Sequence, residues 1–308
     1  MEHRAIGDLS VSVVGLGCNN FGRRLDARAT ETVVHAALDH GIDLFDSADV
    51  YGDGHSEEFL GRALRGRRDR AVIATKFGAP GSAHDGMARG SRDWIRQAVE
   101  NSLERLGTDH IDLYQIHFPD PDVPIAETLG ALDELVRAGK VREIGCSNFG
   151  STRLREAADC AREGGFAPFR SVQNRYSVLH REPDPKVVPA CSELGMGLIP
   201  YFPLESGLLT GKYRAGADLP PGTRLAGMPE QQRERFLAGG ALERVEPLQA
   251  YAAEHGRDLL ELAISWLASC PVVPSVIAGA TRPEQIERNA TAAGWKLTAD
   301  ERAEIAAL

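Results

Sequence analysis

Eight short apolar runs, each followed by an amphipathic helical stretch, recur along nearly the whole chain and restrict what it can fold into. The strand-like runs read as Val13 to Gly17, Leu44 to Ala48, Ala71 to Lys76, Ile111 to His117, Glu143 to Ser147, Ser171 to Tyr176, Gly197 to Tyr201 and Val272 to Ala278. Helical periodicity fills the gaps, as in Ala27 to His40, where Val33, Val34, Ala37 and Leu38 share one side. Ser91 is placed to cap a helix that runs to Leu106, with Gly107 as its stop signal. Parallel strands need helical crossovers, so this alternation predicts a parallel sheet. Eight units suit a closed (β/α)8 barrel, and 308 residues suit one such domain over residues 1–308. Residues 4–13 read as a hairpin turning at Gly7-Asp8, and the tail after Leu297 as an extra helix. From Glu205 to Gly240 the rhythm breaks into a Gly- and Pro-rich stretch, predicted to be a long functional loop. The rival architecture is an open doubly wound sheet. Its dinucleotide fingerprint would need glycine where Asn20 sits in the first turn, Gly15 to Gly22.

A net charge of −9 argues against a nucleic-acid partner, which calls for a basic face. The five cysteines, Cys18, Cys146, Cys160, Cys191 and Cys270, form no C-x-x-C pair, so neither a disulfide framework nor a metal cluster is expected. Cys146 and Cys191 lie in apolar runs and read as small buried hydrophobes. The N-terminal residues lack a signal-peptide apolar core, and no run is long enough to span a membrane. A reducing cytoplasmic location is the expectation.

The strand-like runs end in polar groups: Asp46, Lys76, His117, Ser147-Asn148, Gln173-Asn174 and Tyr201. In a barrel these ends converge on one mouth. Tyr51 follows Asp46 by five residues in the run DSADVYG. Taken singly, each has an ordinary explanation: a structural ion pair for Asp46 and Lys76, a core histidine for His117, a turn aromatic for Tyr51. Together they suit proton transfer to a carbonyl. Tyr51 carries a hydroxyl that can protonate an alkoxide, and an adjacent Lys76 ammonium is expected to lower its pKa. Asp46 would hold Lys76, and His117 would polarise the carbonyl.

These residues sit in longer motifs: DSADVYG (46–52), ATKFG (74–78), SLERLGTDHIDLYQIH (102–117), GKVREIGCSNF (139–149), VQNRYS (172–177), YFPLESGLLTGKY (201–213) and GATRPEQIERNA (279–290). Through them the chain resembles the aldo-keto reductase family. The resemblance implies a (β/α)8 barrel, NADPH-dependent reduction of aldehydes or ketones, and a catalytic tetrad of Asp46, Tyr51, Lys76 and His117. It implies that Ser147, Asn148 and Gln173 hold the nicotinamide carboxamide and that Tyr201 stacks on the ring. Leu204, Gly207, Leu209 and Lys212 match the pyrophosphate loop. Gly279, Thr281, Arg282, Gln285 and Asn289 match the adenosine end, with Arg282 on the 2′-phosphate, so NADPH is favoured over NADH. No metal is implied. Three positions depart from the commoner pattern: Phe202 for serine, Ser47 for threonine, and Glu205, which would add negative charge near the phosphate loop.

Three rivals remain open on the sequence. One is a sugar dehydrogenase running oxidatively on the same residues. Another is a redox sensor like the potassium-channel β subunits, although no N-terminal segment for engaging a channel is evident. The third is an unrelated barrel isomerase. The substrate, a small carbonyl compound, is expected to meet loops Phe21 to Leu25, Phe77 to Arg89, Phe118 to Val123 and Gly216 to Gly240, with Phe21, Met87 and Phe118 as pocket walls. The oligomeric state is open.

Overall fold

The computed structural model describes residues 1–81 and 86–308. Two antiparallel strands, β1 (His3–Ile6) and β2 (Leu9–Ser12), come first. The next eight strands are parallel: β3 (Val14–Gly17), β4 (Leu44–Asp46), β5 (Val72–Phe77), β6 (Ile111–Ile116), β7 (Val141–Ser147), β8 (Ser171–Arg175), β9 (Gly197–Tyr201) and β10 (Val276–Gly279). They run in the order β10-β3-β4-β5-β6-β7-β8-β9, with helices between them. The seam between β9 and β10 has no strand ladder among the described residues. It is held just ahead of β10, where Leu198 N donates to Val272 O (2.7 Å). The predicted (β/α)8 barrel with an N-terminal hairpin is the fold observed.

The hairpin turns at Gly7, whose φ of 57° favours glycine. A Cβ there would stand 2.2 Å from Glu143 Oε1, the oxygen that accepts from Asp8 N (2.7 Å). Ile6, Leu9 and Val11 of the hairpin then pack into the barrel against Leu44, Ala74, Leu113, Ile199 and Ile277. The hairpin thereby plugs one end of the cylinder. A second, larger core lies between the strands and the helices.

Local signals set the helix ends. Ser91 Oγ accepts from Trp94 N (3.4 Å) at the start of helix Arg92–Leu106, and Gly107 (φ 61°) ends it. Paired caps, Asp258 with Glu261 and Thr298 with Glu301, open the helices Leu259–Ala268 and Ala299–Ala307. Arg302 ties the last helix down through Nε to Trp266 O (2.9 Å) and Nη2 to Tyr176 Oη (3.2 Å).

Two expectations need correction. The eighth barrel strand begins at Val276 rather than Val272, because Val272 and Val273 form a turn closed by Val273 N to Cys270 O (3.0 Å) and Pro274 has no N–H for a ladder. The stretch from Glu205 to Gly240 is not one loop: it holds a short 3-10 segment, Glu205–Thr210, and a helix, Glu230–Leu237. No helix among the described residues is long and apolar enough to cross a membrane. All five cysteines are free.

Candidate active site

Side chains alternate between the two faces of a strand, and this parity builds the site. Leu44, Ala74, Leu113, Ile199 and Ile277 point inward beside the hairpin. Two residues on along each strand, on the same inward face, stand Asp46, Lys76, Gln115, Tyr201 and Gly279. One end of the barrel interior is therefore apolar and the other polar. His117 follows β6 by one residue, its N–H donating to Phe77 O (2.8 Å).

Lys76 is fully buried. Its Nζ donates to Asp46 Oδ2 (2.7 Å) and Ser47 O (2.8 Å), and lies 5.1 Å from the centre of the Tyr51 ring, hydrogen-bonding the phenol. Burial works against the ammonium, but Asp46 and then Tyr51 outweigh it, so the Lys76 pKa is raised. Asp46 Oδ1 accepts from Gln173 Nε2 (2.8 Å) and, more weakly, from Gln115 Nε2 (3.4 Å). The carboxylate is thus held on both oxygens.

The Tyr51 phenol differs from the sequence expectation. Burial raises its pKa above the usual value, and Lys76 opposes that only in part. The expectation counted the charge and not the desolvation. The phenol therefore keeps its proton through neutral pH. His117 meets Tyr51 edge-on, ring centres 6.0 Å apart. Burial, and then Lys76, pushes its pKa down to about 3, so the imidazole is neutral at pH 7. Its Nδ1 is buried without a partner. A bare lone pair there costs less than a bare N–H, which assigns the proton to Nε2.

Asp49, on the loop between Asp46 and Tyr51, has a buried Oδ1 without a partner. Burial, then Glu57, raises its pKa to about 7, with Arg105 opposing. Because the folded pKa exceeds that of the unfolded chain, the stability this group contributes at low pH is lost as pH rises through about 7. Asp49→Asn should therefore raise Tm at pH 8 by a few degrees and leave it unchanged near pH 4, each unit of displacement being worth about 1.4 kcal/mol. Equal Tm differences at both pH values in calorimetry would refute this assignment.

Tyr51 and His117 line a cleft of about 770 Å3 that runs from the tetrad to the N-terminus of the helix Pro283–Thr291. Ser147, Asn148, Gln173, Tyr201, Leu204, Gly207, Lys212, Gly279, Thr281, Arg282, Gln285 and Asn289 all line it. Asn148 (φ 62°) accepts from Tyr201 Oη (2.9 Å) and donates to His117 O (3.0 Å), which links the aromatic ring to the tetrad. Ser147 Oγ donates to Gln173 O (2.8 Å). Thr281 N and Oγ1 both donate to Gln285 Oε1 (2.7 and 3.1 Å). Lys76 lies behind Tyr51 rather than on the cleft wall. Leu209 is fully buried in the main core and does not reach the cleft; its outward neighbours on the turn do.

The proposed pocket walls divide. Phe118 lines the cleft, stacked on His117 at 5.2 Å. Phe21 is fully buried, and Met87 packs on the core away from the cleft. Of the loop Phe77 to Arg89, residues 82–85 lie outside the described residues. Two residues of the site escaped the sequence reading. Gln115, buried behind the cleft where it bonds Asp46, could have been found, since it precedes His117 by two on one strand face. Arg224 could not: it comes to the cleft from a long excursion, 5.7 Å over the Phe202 ring. Ser47 Oγ bonds Ser56 Oγ (2.9 Å), so the serine is simply absorbed into the core.

A nicotinamide dinucleotide suits this cleft. Hydroxyl and amide groups stand at its tetrad end, and Lys212, Arg224 and Arg282 have no acid partner among the described residues. At Gly207 a Cβ would press on Lys212 Nζ at 2.8 Å, so glycine leaves that amine room. Among the described residues no group of His, Cys, Asp and Glu could hold a metal ion.

Residues 13–308 match the aldo/keto reductase family, and the chain belongs to it. It is 35% identical to an aldo-keto reductase of Bacillus subtilis, YhdN, covering 99% of this chain and 92% of that one. It is equally 35% identical to a probable voltage-gated potassium channel subunit beta of Arabidopsis thaliana, covering 94% and 90%. The solved holo form of aldo-keto reductase AKR11C1 from Bacillus halodurans superposes with a TM-score of 0.81 at 31% identity, covering 99% and 95%.

Proposed function

We propose that this protein reduces an aldehyde or ketone to the alcohol with NADPH, Tyr51 supplying the proton. The observation that carries this reading is the buried Asp46–Lys76 pair behind a protonated Tyr51 phenol at the cleft floor. Bound in the cleft, the reduced nicotinamide supplies the hydride. The chain's own residues do the rest. Ser147, Asn148 and Gln173 offer the hydroxyl and amide groups that a carboxamide needs. Tyr201, its hydroxyl tied to Asn148, presents a ring in a fixed plane. Leu204, Gly207 and Lys212 suit the pyrophosphate, and Gly279, Thr281, Arg282, Gln285 and Asn289 the adenosine end.

His117 donates from Nε2 to the carbonyl oxygen and polarises it. Tyr51 gives its proton to the forming alkoxide, and Lys76 compensates the phenolate left behind. A phenol that holds its proton through neutral pH is in the form this acid role requires.

The test is a panel of aldehydes and ketones with NADPH and NADH, read by loss of the reduced cofactor. Binding of cofactor without turnover of any carbonyl would instead favour redox sensing. Arg282, exposed and without an acid partner among the described residues, is assigned to the 2′-phosphate. Arg282→Ala should raise the NADPH KM roughly 10- to 100-fold, the value of a lost charge-assisted contact, and leave the NADH KM within about twofold. Equal losses for both cofactors would remove that role.

A further inference from the structure

Glu205 breaks the family pattern on paper by placing an acid in the strap that borders the cleft. The structure turns it away. Leu204, Ser206 and Gly207 line the cleft, whereas the Glu205 carboxylate is 2% exposed and points behind the strap. There it accepts from the Arg175 guanidinium through both Nη2 and Nε (3.3 Å), and from Ser177 Oγ (2.8 Å). Arg175 is the residue that ends β8, two positions beyond Gln173 on the same strand.

The strap itself is in an unusual state. Phe202 (φ 55°), Glu205 (φ 44°) and Ser206 (φ 55°) are three of the five non-glycine residues with positive φ among those described. L-residues rarely adopt this region, and a cluster of them persists only where surrounding contacts over-determine it. The contacts are an unbroken chain. Arg175 lies 5.5 Å over Phe236, Phe236 meets Phe202 edge-on at 6.1 Å, and Arg224 lies 5.7 Å over Phe202. Ser206 itself borders the cleft, and its Oγ is buried without a partner.

We propose that Arg175 and Glu205 are positioning residues for the cofactor: their ion pair, its carboxylate buried, holds the left-handed backbone at Phe202, Glu205 and Ser206 in the strap that borders the cleft and keeps the Glu205 charge out of it. This rests on the cofactor reading above. The pair acts through the strap and touches no reacting atom. Removing Arg175 leaves a buried carboxylate without compensation. That charge escapes burial by unwinding the strap, which disorders the cleft wall and brings a negative group toward the phosphates. Removing the charge from Glu205 strands no carboxylate: an amide oxygen in the place of Oε1 still accepts from Arg175 Nε and Ser177 Oγ, and Arg175, partly exposed, can give its Nη2 to water.

The test is a double-mutant cycle read by NADPH fluorescence titration, by hydrogen exchange at residues 204–210 in cofactor-free protein, and by kcat at saturating cofactor. Arg175→Met should weaken NADPH roughly 30-fold or more, the usual consequence of stranding one partner of a buried pair. It should also accelerate exchange in the strap and leave kcat within about twofold. Glu205→Gln should lie within about threefold of wild type, and adding it to Arg175→Met should restore most of the lost affinity. If Arg175→Met does not fold, Arg175→Lys, which keeps the charge and loses the fork, should give an intermediate loss and slower strap exchange than any neutral variant. Unchanged affinity in Arg175→Met, or a double variant as weak as the single one, would overturn the proposal. A wild-type protein that binds neither NADPH nor NADH would overturn the cofactor reading itself, and strap exchange in the cofactor-free protein would still report whether the pair holds the backbone.

Discussion

Tyr51→Phe is expected to lower kcat for carbonyl reduction by about 100- to 10,000-fold, the range for loss of a positioned general acid. The phenol is the one hydroxyl set between Lys76 and His117, and the phenylalanine ring fills the same space. NADPH affinity should stay within about twofold, since Tyr51 is not among the groups assigned to the cofactor, and Tm should fall slightly, because the buried Lys76 ammonium loses one hydrogen-bond acceptor. Because burial keeps the phenol protonated, the wild-type rate should be flat through neutral pH and fall only in the alkaline range. The neutral His117 adds no inflection above about pH 3. Wild-type turnover in Tyr51→Phe would sink the proton-donor role.

The second large effect is expected at Lys76. Its side chain is fully buried and pairs with Asp46, so Lys76→Met keeps the methylene packing but strands a carboxylate. Breaking a buried pair this way costs about 3–5 kcal/mol, because the remaining charge has lost its compensation. Gln173 and Gln115 still donate to Asp46, which tempers the loss and does not remove it. Activity should fall at least as far as in Tyr51→Phe, since the phenolate formed during turnover loses its counter-charge. The double variant Asp46→Asn/Lys76→Met separates the two consequences: thermal stability should return toward wild type while activity stays lost. Recovery of both together in calorimetry and steady-state assays would make the pair a structural element only.

These two experiments also mark how the site became legible. Asp46, Lys76 and His117 could be found from the sequence because each ends an apolar run, and strand parity puts all three on the inner face. Their mutual geometry follows once eight strands close. The phenol pKa was misjudged, because sequence shows a neighbouring charge and does not show how much water burial removes. Leu209 was misplaced for a related reason: a 3-10 turn with residues at positive φ rotates successive side chains to different sides, so proximity in sequence does not decide which one meets the cleft. Glu205 was read as a charge beside the phosphates for the same reason, and its partner Arg175 lies 30 residues away.

The eight strand–helix units, the hairpin turn at Gly7, the caps at Ser91 and Gly107, and the polar groups at the strand ends were all legible in local sequence. All of these are written in periods of two or 3.6 residues, or in single residues with strong conformational preferences, and so act over short range. Long-range packing decided that the hairpin plugs the barrel, that Pro274 shortens the last strand, that Arg224 comes to the cleft while Phe236 packs on Phe202, and that the Glu205 charge is buried against Arg175. Each of those depends on which distant side chains share a desolvated space, and desolvation is a property of the packed molecule rather than of any stretch of chain.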